Sequence, residues 1–298
     1  MRLKEDFFRE EVRCDYLINS KMKRIWGKEL EILDKFDEVC QKYGLRYFLA
    51  YGTLLGAVRH GGFIPWDNDI DVAMFRDEYE KFSEIAEKEF KDPFEFQKNF
   101  FNLAFGKIRI KGTTAVEVPY LDDKINQGLY IDIFPLDDVP KEENCNESYF
   151  QIEKELAILA QHPDIYIDQI RQGFEATLTS QIIVDLLRLS PKDRIKEYED
   201  FCLKNVGSSK WCGYIHGVAF ANKKPLKKEW FDTIIYLPFE GKEYPVPLDY
   251  DNVLKSLYGD YSKMIQGLSE HEKIIMDPDN SYDNYLVGGE FFDEKFWR

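Results

Sequence analysis

Three aspartates stand within five positions of the segment GGFIPWDNDIDVAMF (61–75), and the last two, Asp69 and Asp71, lead straight into an apolar run. Side chains alternate faces along a strand, so Asp69 and Asp71 would leave the same face about 6.6 Å apart. Two carboxylates so placed repel, and one takes up a proton unless something positive stands between them. A hard divalent cation, Mg²⁺ or Mn²⁺, meets that need: it takes oxygen ligands, keeps part of its water and borrows phosphate oxygens from a substrate. D-x-D alone is a weak pattern, since spaced acids also occur on exposed strands. A third carboxylate is expected from a neighbouring strand, and Asp132 in GLYIDIFPLDD is the candidate because apolar residues flank it. Asp137 and Asp138, past Pro135, read as loop residues.

Upstream lies YFLAYGTLLGAVRHGGF (47–63). A buried strand there delivers Gly52 and Thr53 to a helix N-terminus, where unpaired N–H groups and the helix dipole favour a phosphate. Glycine lets the main chain approach closely, and the Thr53 hydroxyl can donate. The bland alternative is a strand–turn–helix with a capping threonine. Arg59, in the same helix, is expected to contact phosphate. Lys107 and Arg109 alternate on one strand and share a face, so they either brace phosphates or pair with surface acids.

The elements that must position these residues follow from periodicity. Trp26, Leu30, Leu33, Phe36, Cys40 and Tyr43 recur at helical steps, predicting a helix over 22–43 that stops at Gly44. Strands are expected at 46–51 and 69–74, a helix at 77–90, and further strands up to about 134. Residues 148–206 read as helical, 234–247 as a hairpin, and a soft boundary falls near 140. Net charge is −15 over 298 residues, which argues against a nucleic-acid partner. The five cysteines show no C-x-x-C spacing, and neither a signal core nor a membrane span is visible. A cytoplasmic protein with reduced thiols is expected.

Gly52-Thr53 followed within 20 residues by D-x-D is the arrangement of the polymerase-beta-like nucleotidyltransferase fold. The blocks FLAYGTLLGAVRHGGFIPWDNDIDVAM (48–74), KIRIKGTTAVE (107–117), YIDIFPLDD (130–138) and FEGKEYPVPLDYDNVLKSLYGDY (239–261) resemble the LicD family of phosphocholine transferases, which also includes the fukutin-related enzymes. The resemblance implies an α+β fold: a nucleotidyltransferase-like catalytic core over 1–140, with a mainly helical addition over 141–298 packed on it. It implies transfer of phosphocholine or a similar phospho-alcohol from CDP-choline or another CDP-alcohol to a hydroxyl of a glycan such as teichoic acid, capsule or lipopolysaccharide. The acceptor would often be lipid-linked, at the inner face of the membrane. Asp69 and Asp71 match the family's metal-binding pair and Asp132 its third acid. Asn68 replaces a usual acid and should point away from the pair. The family often has paired histidines near the C-terminus, where this chain has His271 alone. Metal on these acids would neutralise the donor diphosphate, and Asp132 or a metal-bound hydroxide would take the acceptor's proton. A choline head calls for aromatic faces, and Trp66, Tyr130 and Phe134 lie beside the expected ligands. Two other readings use the same residues: nucleotidyl transfer from an NTP with pyrophosphate release, and a non-catalytic glycan- or nucleotide-binding module.

Overall fold

The computed structural model describes residues 3–99, 103–117, 125–139, 147–214, 225–266, 274–287 and 290–291. A short hairpin opens the chain, β1 (Glu11–Arg13) against β2 (Tyr16–Ile18). Helix α1 (Ser20–Tyr43) starts where the Asn19 side chain accepts from the Met22 N–H, and stops at Gly44, left-handed at φ 65°. Its predicted apolar face is buried at Trp26, Leu30, Leu33, Phe36 and Cys40, whereas Tyr43 is exposed.

Seven strands form the main sheet. They are β3 (Phe48–Leu49), β4 (Asp71–Phe75), β5 (Phe94–Lys98), β6 (Gly106–Ile110), β8 (Tyr130–Asp138), β9 (Trp211–Gly213) and β10 (Leu226–Lys227). Strand β7 (Thr114–Glu117) lies outside it and pairs with β13 (Ile274–Asp277). In the main sheet, β4 and β8 run parallel, and every other pairing is antiparallel. Helix α2 (Tyr51–His60) follows β3 at once, and α3 (Arg76–Glu89) follows β4 without a loop.

Strand β8 runs on through Pro135, so Asp137 and Asp138 are buried strand residues and not loop residues. Proline lacks the N–H a ladder needs. Here it sits between two partners: β6 pairs residues 130–133 and β9 pairs Asp137 and Asp138. Asp137 receives Arg76 in two hydrogen bonds, Nε to Oδ1 at 2.6 Å and an NH2 contact to Oδ2 at 2.8 Å. Asp138 accepts from Lys228 at 2.7 Å and from the Ser209 N–H at 3.1 Å.

Beyond β8 the chain is helical: α4 (Glu147–Gln161), α5 (Pro163–Arg171), α6 (Ser180–Arg188) and α7 (Pro191–Lys204). The composition break near 140 falls on residues 140–146, outside the described residues. The expected hairpin is β11 (Ile234–Phe239) with β12 (Lys242–Pro247), and it packs on α2 and β3. Lys242 ties it to α1 through Asp34 and Asp37, each at 2.8 Å. Helix α8 (Tyr250–Tyr258) then packs against α2. Among the described residues no helix is long and apolar enough to cross a membrane, and Cys14, Cys40, Cys202 and Cys212 carry no disulfide.

Candidate active site

The parallel register of β4 and β8 sets Asp71 directly beside Asp132, on neighbouring strands about 4.8 Å apart. On the far side of Asp132 the antiparallel register of β6 sets Lys107 opposite it. Paired residues share a face, so Asp71, Asp132 and Lys107 make a row across three strands. Lys107 Nζ lies 2.8 Å from Asp132 Oδ1, with both side chains almost fully buried.

The start of α2 is bolted to this row. The Asp71 N–H donates to Thr53 Oγ1 at 2.8 Å, and the Ala50 N–H donates to the Asp71 carbonyl at 3.0 Å. Thr53 is buried and fixes the main chain of Asp71, while its hydroxyl proton remains available to a second partner. The N-cap residue of α2, Ala50, has no side-chain group to cap it. Gly52 is needed for a local reason: a Cβ there would stand 2.6 Å from Asp67 Oδ2. The Asp67 carboxylate therefore fills the space a side chain at position 52 would take.

Strand β4 begins at Asp71, two residues later than expected, so Asp69 lies in the lead-in. Pairing still reaches back to Ile70, whose carbonyl accepts from the Asp132 N–H at 2.9 Å. Asn68 turns its amide to the Met276 sulfur at 3.3 Å, on β13. Trp26 of α1 fixes the main chain of Asp67, donating from Nε1 to its carbonyl at 2.9 Å.

Helix α1 adds an acid from outside the D-x-D segment. Glu29 is 0% exposed, and neither carboxylate oxygen has a hydrogen-bond partner among the described residues. Burial pushes its pKa well up, and the charges of Asp69, Asp67, Asp132 and Asp71 push it further. The same field reaches Tyr258, whose phenol is raised by burial and then by Asp71, Asp67 and Asp69. Glu29 was legible in principle: it stands three residues after Trp26 and four before Leu33, inside the apolar stripe of α1. Asp67 was visible too, as the first acid of the triplet.

Four aspartates and Glu29 thus share one electrostatic neighbourhood, in which Lys107 pairs with Asp132. Among the described residues no three His, Cys, Asp or Glu side chains are placed to hold a metal ion together. A Mg²⁺ ion of the phosphoryl-transfer kind does not require three, since it takes one or two carboxylates and fills the rest with water and phosphate. The all-oxygen donor set and the unpartnered, buried Glu29 fit such a cation.

The other expected contacts divide. Arg59 is spent on the C-terminal chain, donating to the Tyr261 and Lys263 carbonyls at 3.0 and 3.1 Å, and not on the α2 cradle. Arg109 is fully buried and donates to Gln97 Oε1, the Ala115 carbonyl and the Gly128 carbonyl. It braces β7 and the chain that leads into β8, so of the two alternating cations Lys107 is the one at the acid row. Trp66 packs edge-on against Tyr16 at 6.0 Å. Tyr130 is buried under Lys107 and Arg109, which lie 3.6 and 4.5 Å from its ring centre. Phe134 instead joins Tyr51, Phe105 and Tyr214 in a ring cluster beside Asp132. His271 lies outside the described residues.

Residues 44–161 match the profile of the LicD/FKTN/FKRP nucleotidyltransferase domain. The lipopolysaccharide cholinephosphotransferase LicD of Haemophilus influenzae is 32% identical over 241 residues, 79% of this chain and 89% of the relative. A shorter likeness, 51% over 37 residues, links the chain to the human ribitol 5-phosphate transferase FKRP, covering 12% of this chain and 8% of the relative. A domain match carrying the acid row, and a relative aligned along nearly its whole length, place the chain in the LicD family.

Proposed function

We propose that this protein transfers phosphocholine from CDP-choline to a hydroxyl group of a cell-surface glycan, with the help of a divalent cation. The observation that carries the reading is the in-register pair Asp71 and Asp132, flanked by Asp67, Asp69 and Glu29. So much negative charge beside a helix N-terminus suits a site that binds a diphosphate through a cation. The likeness to a cholinephosphotransferase acting on lipopolysaccharide supports choline as the alcohol and a glycan as the acceptor. The sheet, with its acids on adjacent parallel strands and Gly52-Thr53 opening helix α2, is read as a nucleotidyltransferase-like core over 1–140 to which β9 and β10 are added from beyond that boundary, the later helices and hairpin forming an addition.

When bound, Mg²⁺ or Mn²⁺ would neutralise the donor diphosphate and the charge that grows on departing CMP. Asp69 and Asp71 would hold it, with Asp132 as third acid. The main-chain N–H groups at the start of α2 would take the donor phosphates, and Lys107 would offset charge from the β6 side. The acceptor oxygen attacks the phosphorus that carries choline. Its new O–P bond forms as the bond to the CMP oxygen breaks, and CMP leaves with that electron pair. The acceptor proton passes to a carboxylate, for which Asp132 stands nearest the row's centre.

Incubating the protein with Mg²⁺, CDP-choline and a glycan acceptor tests this. CMP and a phosphocholine-modified glycan are the expected products. Pyrophosphate release from an NTP, without CMP from CDP-alcohols, would overturn the reading in favour of nucleotidyl transfer.

A further inference from the structure

Phe134 follows Asp132 by two residues on β8, so both side chains leave the same face of the sheet, about 6.6 Å apart. Three rings gather on it from three other places in the chain. Phe105, just before β6, lies 4.9 Å away between ring centres; Tyr214, just after β9, lies 4.8 Å away; and Tyr51, at the start of α2, lies 5.3 Å away and edge-on. Phe105 and Tyr214 are buried, and the open edge of the cluster is formed by Tyr51 and Phe134. Phe105 and Tyr214 each keep 8% of their surface and Tyr51 and Phe134 are half-buried, whereas Trp26 and Phe36 keep none.

Tyr51 also carries an unusual main chain. Its φ is +43°, a left-handed conformation that a bulky side chain rarely adopts. Such strain persists only where the surroundings enforce it, and it clusters at ligand sites. Here it lets α2 begin immediately after β3, so one turn of chain sets the Tyr51 ring against Phe134 and Thr53 against Asp71.

We propose that Tyr51, Phe105, Phe134 and Tyr214 form the subsite for the quaternary ammonium head of the transferred alcohol, a role that rests on the phosphocholine-transfer reading above. A trimethylammonium group donates no hydrogen bond and is attracted to the negative faces of aromatic rings. The acids add to that attraction: after burial, the Asp71 charge acts on Tyr51, and after burial and Tyr51 the Asp132 charge acts on Tyr214. Lys107 Nζ marks the border, 5.3 Å from the Phe105 ring centre and directed to Asp132. The zwitterion then has a place for each charge, phosphate at the Lys107 side and ammonium on the rings, joined by the short P–O–C–C–N chain. A polyol such as glycerol or ribitol needs many hydrogen-bonding partners, and the four rings offer two phenol hydroxyls.

The test is calorimetric titration of the protein in Mg²⁺ with CDP-choline, CDP-ethanolamine and CDP-glycerol, for wild type, Phe134→Leu and Tyr214→Leu. Wild type is expected to prefer CDP-choline by about tenfold or more over CDP-glycerol. Either leucine variant should cut that preference to about threefold or less, through loss of CDP-choline affinity. Circular dichroism identifies folded variants, and Phe105→Leu replaces any that fails to fold. Folded variants that keep the wild-type preference overturn the subsite and leave phosphocholine transfer standing. Wild type that binds none of the three donors overturns both.

Discussion

Replacing Glu29 by glutamine should flatten the pH dependence of stability of the cation-free protein. Glu29 is sealed on the buried face of α1, its oxygens are without hydrogen bonds among the described residues, and four aspartates act on it. Burial first, then those charges, raise its pKa well above the ordinary 4.5. A carboxyl whose folded pKa is raised binds its proton more tightly in the native state than in the unfolded state. Below about pH 4.5 both states are protonated and the group has no effect on the slope. Above it, and up to the raised folded value, the native state holds one more proton, so stability falls as pH rises. The slope is about 1.4 kcal/mol per pH unit for one proton. A glutamine amide does not titrate, so the stability difference between wild type and Glu29→Gln should change by that amount per unit within the window. Urea denaturation of both proteins in the presence of a chelator, at pH 5, 6, 7 and 8, measures it. Mn²⁺ should then restore more stability to wild type than to the variant at pH 8. Parallel pH curves would refute the reasoning, because they would mean that Glu29 ionises in the folded protein as easily as in the unfolded one.

Arg76→Leu leaves Asp137 buried without its guanidinium, and unfolding free energy should fall by about 3–5 kcal/mol, much of it recovered in the Arg76→Leu/Asp137→Leu double variant. Gly52→Ala places a methyl group 2.6 Å from Asp67 Oδ2. Because that carboxylate is the far end of a mobile side chain, denaturation should show a loss below about 1 kcal/mol. Donor turnover should fall about tenfold or more as Asp67 is displaced toward the acid row.

Much of this architecture could be read along the chain. Helix α1 announced itself through the spacing of Trp26, Leu30, Leu33 and Phe36, and the strand around Asp132 through its apolar neighbours. What could not be read was register. Asp71 faces Asp132, and Lys107 faces it from the other side, only because β4 and β6 flank β8 in one alignment. Arg59 seemed aimed at phosphate until the fold brought the carbonyls of Tyr261 and Lys263 to it. Arg109 looked equivalent to Lys107 by alternation, yet carbonyls of β7 and of the chain just before β8 take its donors. Pro135 suggested a strand end, and the gap between the β6 and β9 pairings removed that constraint. The aromatic neighbours of Asp132 show the same limit: Phe134 was named from proximity in sequence, while Tyr51, Phe105 and Tyr214 arrive from distant segments.

The central claim is that Asp71 and its neighbours seat a divalent cation on which donor cleavage depends. CMP release from CDP-choline in the presence of acceptor, measured for wild type and Asp71→Asn with Mg²⁺ and after thorough chelation, tests it most directly. The account predicts release by wild type that chelation abolishes and Mg²⁺ restores, with less than about a tenth of that rate for a folded Asp71→Asn protein. Release that survives chelation, or a variant that turns over above that level, would contradict it.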